Sequence, residues 1–291
     1  MTAAQLYVSN PDNRPQRWLM WLGDPGRPPI DGADMAILVA HPGDETIGCG
    51  AQLRRLRDAG IIVLTDGASR DYPDGDRSQL EAAEKHAATR LLELQRVLQY
   101  AGRGIERLLV CGTSDRQAAL QLPALVRQIA AHVRRNQIRC LVTSAYEGGY
   151  PDRDSAAFVA HVGAALLARQ HYQLHLLEMP IAHREPDGVV KQRFIEDPMT
   201  PIDQRCEVTL TREEQRFKRT LINFYATQSA VLEEFDVKYE RFRAAPRYEF
   251  TAPPNWGRLL DEHYTAGASA SRWSALARDA LRELGMTGSW Y

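Results

Sequence analysis

Five short apolar runs constrain this chain more than any other feature. They are MAILVA (35–40), IIVLT (61–65), RLLVCG (107–112), CLVTSA (140–145) and LHLLEM (174–179), and longer segments of helical periodicity separate them. Each run is continuous rather than alternating, as in a strand buried on both faces. Strands that alternate with helices require an α/β fold, a parallel sheet with helices on both faces and right-handed crossovers. TIGCGAQLRRLRDAG reads as a helix with Ile47, Ala51 and Leu53 or Leu56 on its apolar side and Gly60 at its end. A loop, DGASRDYPDGDR (66–77), leads to a long helix from about Ser78 to Tyr100. Further helices are expected over 122–136 and from about Ser155 to Gln170.

The flanks read differently. Residues 1–33 are rich in Pro, Asn, Asp and Gly, and are expected to be irregular, with a short aromatic-bearing segment (Trp18, Trp21) that could pack on a surface. CEVTL (206–210) reads as an edge strand. Thr211 and Glu214 have capping-box spacing before a helix through Phe217, Leu221 and Phe224. A last helix places Trp273, Leu276, Ala277, Ala280 and Leu281 on one side. The expected organisation is an irregular segment (1–33), a core (34–205) and a C-terminal helical and edge-strand extension (206–291) packed on it as one domain.

Charge and cysteine usage narrow the partners. The 291 residues carry a formal net charge of −1, so no global field attracts nucleic acid or an anionic membrane. The basic stretch VRRNQIR (133–139) reads as a solvated helix end. Four separated cysteines, Cys49, Cys111, Cys140 and Cys206, form no C-x-x-C and imply neither a disulfide framework nor a structural zinc site. No run of 18 apolar residues and no signal-peptide core occur, so a cytoplasmic location is expected. The expected partner is a small molecule, with homo-oligomerisation possible.

Ligands of an open parallel sheet bind beyond the carboxyl ends of its strands. Three polar clusters fall there: HPGDE (41–45), TDGASRD (65–71) and YEGGYPDRD (146–154). His41 and Asp44 at a tight strand-to-helix turn form a set suited to zinc, beside a helix N-terminus near Glu45. The same residues also read as a capping carboxylate and a histidine filling a turn. Asp66 is a ligand contact or a turn residue, and Arg70 an anion contact or a solvated side chain. Glu147 precedes Gly148 and Gly149 in a loop that needs positive φ or close approach to a ligand. Tyr146 and Tyr150 could line a sugar-sized pocket or anchor loops.

Several separated motifs in order resemble one family. VAHPGDETIGCG resembles the AHPDDE signature of PIG-L/LmbE-like deacetylases, and YEGGYPDRD looks like their GGHPDHD signature. LTDGAS, LEMPIAH and the tail ERFRAAPRYEF…PPNWGRLL are also similar to bacterial members. The resemblance implies a Rossmann-like sheet and zinc-dependent hydrolysis of N-acyl amino sugars or related amides. It implies zinc ligands at His41 and Asp44, a general base at position 43, a third zinc ligand at position 153, a histidine at position 150 and an aspartate at 152.

This chain has Gly43, Tyr150 and Arg153 at three of those positions and keeps Asp152. Glycine cannot accept a proton, and a guanidinium has no lone pair for a metal. The first reading is therefore a degenerate site with no metal cofactor. In it Arg153 makes a bidentate pair with Asp44 near His41 and binds an anionic or carbonyl group of an amino-sugar-like or secondary-metabolite ligand. Catalysis without metal, with His41 or Glu45 in acid/base roles, and a non-catalytic sensing or scaffold role are equally open. The second reading is an active zinc hydrolase with a rearranged site, in which His183 or Glu178 reaches the metal and Asp152 or Glu147 serves as base. A nucleotide-binding reading is minor, because Gly43, Gly48 and Gly50 do not make G-x-G-x-x-G.

Overall fold

The computed structural model describes residues 14–70, 77–196, 201–260 and 270–286. Residues 1–13 of the expected irregular segment, 71–76 of the expected loop and 287–291 of the tail lie outside the described residues. Seven strands form the main sheet: β1 (Met35–Val39), β2 (Gly60–Ser69), β3 (Leu108–Asp115), β4 (Cys140–Ser144), β5 (His175–Met179), β6 (Arg205–Thr209) and β7 (Tyr239–Ala244). Their spatial order is β6-β7-β5-β4-β1-β2-β3. The five strands β5-β4-β1-β2-β3 are parallel, and β7 and β6 continue the sheet antiparallel. The expected parallel core and edge strand are thus present, and β6 is the edge.

Both faces of the sheet are apolar, which is why the strand runs are continuous. Met35, Ile37 and Val39 point into one core with α1 (Arg14–Gly23), α2 (Asp44–Cys49), α3 (Arg77–Tyr100) and α6 (Arg212–Asn223). Ala36 and Leu38 point into the other, with α4 (Leu122–Arg135), α5 (Pro151–Ala168) and α7 (Ala270–Glu283). Truncating such a buried leucine costs roughly 2–5 kcal/mol. Among the described residues no helix is long and apolar enough to cross a membrane.

Some elements differ from the sequence expectation, each for a local reason. The segment expected to be irregular contains α1, whose Trp18, Leu19 and Leu22 are buried. The helix expected after β1 stops at Cys49 and passes into a 3-10 turn at Gly50–Gln52. Two poor helix formers, Gly48 and Gly50, lie there. Arg55 then donates to the carbonyls of Pro28, Leu22 and Trp21, which draws the chain away from a helical path. β2 runs on to Ser69 through what was expected to be a loop. α5 begins at Pro151, a turn earlier than expected, with proline in its first turn. A hairpin, Ala182–Glu185 with Gly188–Lys191, turns at Pro186 and Asp187.

The C-terminal extension is bolted to the turn after β1. Lys218 of α6 is fully buried, with Nζ 2.9 Å from Glu240 Oε1 and 2.8 Å from the Ile47 carbonyl. Glu240 of β7 also accepts the Ala51 N–H at 2.8 Å and the Gln52 amide at 3.0 Å. The expected capping box at Thr211 and Glu214 is formed. Removing one partner of a buried pair leaves the other uncompensated. Lys218→Met should therefore lower unfolding free energy in urea titrations by roughly 3–5 kcal/mol, and adding Glu240→Gln should recover part of the loss.

Candidate functional site

The strand order reverses between β1 and β4, the place where an open α/β sheet leaves a crevice. β1 delivers His41 and Asp44 there, and the loop after β4 delivers Tyr150, Asp152 and Arg153 on the first turn of α5. β3 delivers Asp115, and its pairing with β2 shifts register twice beyond Val63. Such irregularities bend a strand and re-aim its side chains. The crevice has a volume of about 160 Å³, and its lining includes His41, Gly43, Asp44, Arg90, Tyr150 and Arg153.

Gly43 makes the turn possible. Its φ is 108°, a left-handed conformation in which a Cβ is strained. The Gly43 N–H donates to Glu45 Oε2 at 2.8 Å, and Glu45 Oε1 accepts Tyr225 Oη at 2.5 Å and Thr46 Oγ1 at 2.7 Å. Burial pushes the Glu45 carboxyl up, and these donors hold it back. Glu45 therefore fastens the turn from behind rather than facing the crevice. Gly67 has a similar steric role, since a Cβ there would meet the Arg90 guanidinium at 1.9 Å. Arg90 donates to the carbonyls of Pro42, at 2.9 Å, and Gly67.

Asp44 and His41 are locked by charge. Arg153 reaches Asp44 Oδ1 through Nη2 at 2.7 Å and Nε at 3.1 Å. Both donors fall on one oxygen, so the expected bidentate fork is a two-on-one contact. The other oxygen, Oδ2, accepts the His41 backbone N–H at 3.2 Å and lies 3.3 Å from His41 Nδ1. Burial opposes ionisation of Asp44, but Arg153 and His41 outweigh it and hold the carboxyl well below the usual range. His41 Nε2 lies 2.8 Å from Asp115 Oδ1 and 3.3 Å from Asp152 Oδ2. Burial disfavours the imidazolium, yet hydrogen bonds to Asp115, Asp152 and Asp44 raise its pKa well above the ordinary value. Asp152 is fully buried and takes the backbone N–H groups of Arg116 at 2.6 Å and Ala118 at 3.2 Å.

The other expected site residues lie elsewhere. Asp66 and Arg70 pair with each other at 2.7 Å, and Arg70 also donates to Ser114 Oγ at 3.0 Å. Tyr146 is buried in an aromatic cluster with Tyr248, Phe250 and Trp273 and donates to the Ala252 carbonyl. Glu147 and Tyr146 line a different cavity. His183 is buried in the hairpin with Nε2 3.3 Å from Glu185. Glu178 is buried with Arg243 and Tyr248 at the β5–β7 junction. Asp115, Arg90 and Arg116 were not singled out from the sequence. Asp115 follows the third apolar run by three residues, so the carboxyl-end rule reaches it once β3 is drawn to its full length.

The donor sets can be tested against a metal. The family-type set does not fit, because Arg153 occupies the third position and already holds Asp44. A different set, His41, Asp115 and Asp152, has donor atoms all within 4.8 Å of one another. Histidine nitrogen and carboxylate oxygen are both zinc donors.

Residues 36–164 match the family model PIG-L, GlcNAc-PI de-N-acetylase. The A40926 pseudoaglycone deacetylase superposes with a TM-score of 0.55 at 15% identity, covering 75% of this chain and 99% of that one. A teicoplanin-pathway deacetylase in complex with bog gives 0.53 at 13% identity, covering 74% and 99%. The zinc-inhibited form of teicoplanin deacetylase gives 0.51 at 12% identity, covering 74% and 99%. At these identities the likeness is one of fold. No curated protein is significantly similar in sequence.

The left-handed turn yields a direct test. Gly43→Ala should lower stability by about 1–2 kcal/mol in chemical denaturation, although the nearest side chain to its Cβ, Leu232, stands at an ordinary 3.6 Å. A neutral substitution would show that the backbone, not the space, is misjudged.

Proposed function

From the match of residues 36–164 to the PIG-L family model, we propose that this chain is a PIG-L/LmbE-like protein whose crevice binds an amino-sugar-like or secondary-metabolite ligand without the family's zinc. The observation that carries this reading is the contact of Arg153 Nη2 and Nε with Asp44 Oδ1 at 2.7 and 3.1 Å. A permanently charged guanidinium takes the ligand position and supplies the positive charge an ion would bring. Both oxygens of Asp44 are used, one by Arg153 and one by His41. Arg153 also lies 5.0 Å from the Tyr150 ring centroid, so a carbonyl or carboxylate entering the crevice meets a guanidinium and an aromatic edge together.

The small volume, about 160 Å³, suits the polar head of a ligand rather than its whole body. Leu232 and Val231 at the rim offer apolar contact to the remainder. His41 also lines the crevice, its imidazole held by Asp44 on one nitrogen and by Asp115 and Asp152 on the other.

A second reading rests on the clustering of His41, Asp115 and Asp152 donor atoms. Here the protein is a zinc-dependent N-acyl amide hydrolase whose ion is held by those three residues instead of the family set. Zinc would polarise the amide carbonyl as a Lewis acid. Asp44 and Arg153 would then bind and orient the substrate.

Zinc content and ligand binding separate the two. After incubation with zinc and dialysis, the first reading expects substoichiometric metal, and N-acetylglucosamine binding that a chelator leaves unchanged and Arg153→Ala abolishes. Arg153→His should raise zinc affinity by about tenfold or more by freeing Asp44 and adding a nitrogen donor. One tightly bound zinc in the parent protein, lost in Asp115→Asn, would overturn the first reading in favour of the second.

A further inference from the structure

A second cavity, of about 710 Å³, opens near the ends of β4 and β7 and shares no lining residue with the crevice. Its volume lies within the range of small-molecule sites. On its floor is Glu147, 3% exposed. Glu147 Oε1 accepts the Ile195 N–H at 3.1 Å. On the other oxygen, Oε2, the nearest ion contact is His183 Nδ1 at 3.9 Å, beyond hydrogen-bond reach. That imidazole nitrogen is itself buried without a hydrogen-bond partner among the described residues. Glu147 is thus a buried carboxyl lining a large cavity, with the Ile195 N–H as a donor and the Arg243 charge acting on it.

Arg243, the cation whose charge acts on Glu147, is shared with other groups. Arg243 is committed to Glu178 through Nε at 3.1 Å, donates to Tyr248 Oη at 2.9 Å and lies 4.2 Å from the Phe194 ring centroid. Glu196 and Glu249 add two more carboxyls to the lining, against Arg247. The walls are aromatic and proline-rich, with Tyr146 and Tyr248 inside and Trp256 at the mouth, 79% exposed.

Trp256 is held out deliberately. Asn255 and Trp256 are both left-handed, at φ 50° and 53°, a conformation costing about 1–2 kcal/mol per residue. The loop is strapped to compensate. Asn255 Nδ2 donates to the carbonyls of Arg184 at 2.7 Å and Arg258 at 3.1 Å. Arg184 donates back to Leu259 and Leu260, and the Leu260 N–H donates to the Gly148 carbonyl at 2.8 Å. Strain retained by such over-determination gathers at sites of ligand contact.

Carboxyls joined with aromatic faces are the surroundings of an organic cation. We propose that this cavity binds a primary ammonium group carried on an apolar or sugar-like body, with the nitrogen on Glu147 and the body against Trp256. The group would supply Glu147 with a cation not shared with Glu178. The lining sets three carboxyls, Glu147, Glu196 and Glu249, against two arginines, Arg243 and Arg247.

Burial pushes the Glu147 carboxyl up to about 8, aided by Glu178 and Asp154 and opposed by Arg243 and the Ile195 N–H. His183 faces it from the hairpin and is held below its ordinary pKa by burial. Binding of a cation near neutral pH therefore displaces the Glu147 proton, and affinity should rise by roughly tenfold per pH unit until about pH 8.

The test is calorimetric titration of the full chain with 2-phenylethylammonium at pH 6, 7 and 8, with 2-phenylethanol and 3-phenylpropionate as matched neutral and anionic probes. The ammonium should bind about tenfold tighter than the alcohol at pH 8, with the stated rise from pH 6. Glu147→Gln should weaken binding about tenfold and remove the pH dependence. Trp256→Ala, at an exposed position, should weaken it several-fold with the fold intact. Absence of ammonium binding at pH 8, equal or tighter binding of the alcohol or the propionate, or binding unchanged in both variants would overturn the proposal.

Discussion

The contact between Arg153 and Asp44 governs the character of the crevice. Two strands on opposite sides of the sheet's reversal point must end at the same height for it to form, and β1 and β4 do so because they are hydrogen-bonded neighbours in parallel register. The pair is buried, so its charges are poorly screened and neither partner is readily given up. With Asp44 held on one oxygen by Arg153 and on the other by His41, the imidazole is fixed in turn, and its second nitrogen faces Asp115 and Asp152. One ion pair thus fixes Asp44 and, through it, the His41 imidazole, while Asp152 is held separately by the Arg116 and Ala118 N–H groups.

The support for that centre comes from far along the chain. Tyr225 reaches Glu45, which reaches the backbone of Gly43; Lys218 and Glu240 clamp Ile47 and Ala51 just beyond. These residues belong to α6, to the segment after it and to β7, all from the C-terminal extension. The extension therefore restrains a turn it does not itself contain. It also completes the sheet, whose antiparallel pair β7–β6 covers what would otherwise be an exposed flank of β5.

Much of this was legible in the residues alone. The five buried strands announce themselves because a strand covered on both faces must be apolar without interruption. The carboxyl-end rule then places HPGDE and YEGGYPDRD in one crevice before any coordinates are consulted, and the charge change at position 153 foretells its pairing with Asp44. β7 was hidden because Glu240 and Arg243 are buried charges satisfied by Lys218 and Glu178, partners distant in sequence. α2 was overextended because apolar spacing carries no record of the pull that Arg55 exerts on the N-terminal segment. Glu147 and Tyr146 sit in the same loop as Tyr150 yet face another cavity. Sequence adjacency cannot tell on which side of a loop a side chain falls.

The left-handed backbone at position 43 bears on how such a site can change over descent. An acidic side chain introduced there by a single codon change would arrive on a main chain shaped for glycine. It would carry a folding penalty before offering any chemical advantage. The path to a proton-accepting residue at this position therefore runs uphill unless the surrounding turn is remodelled first.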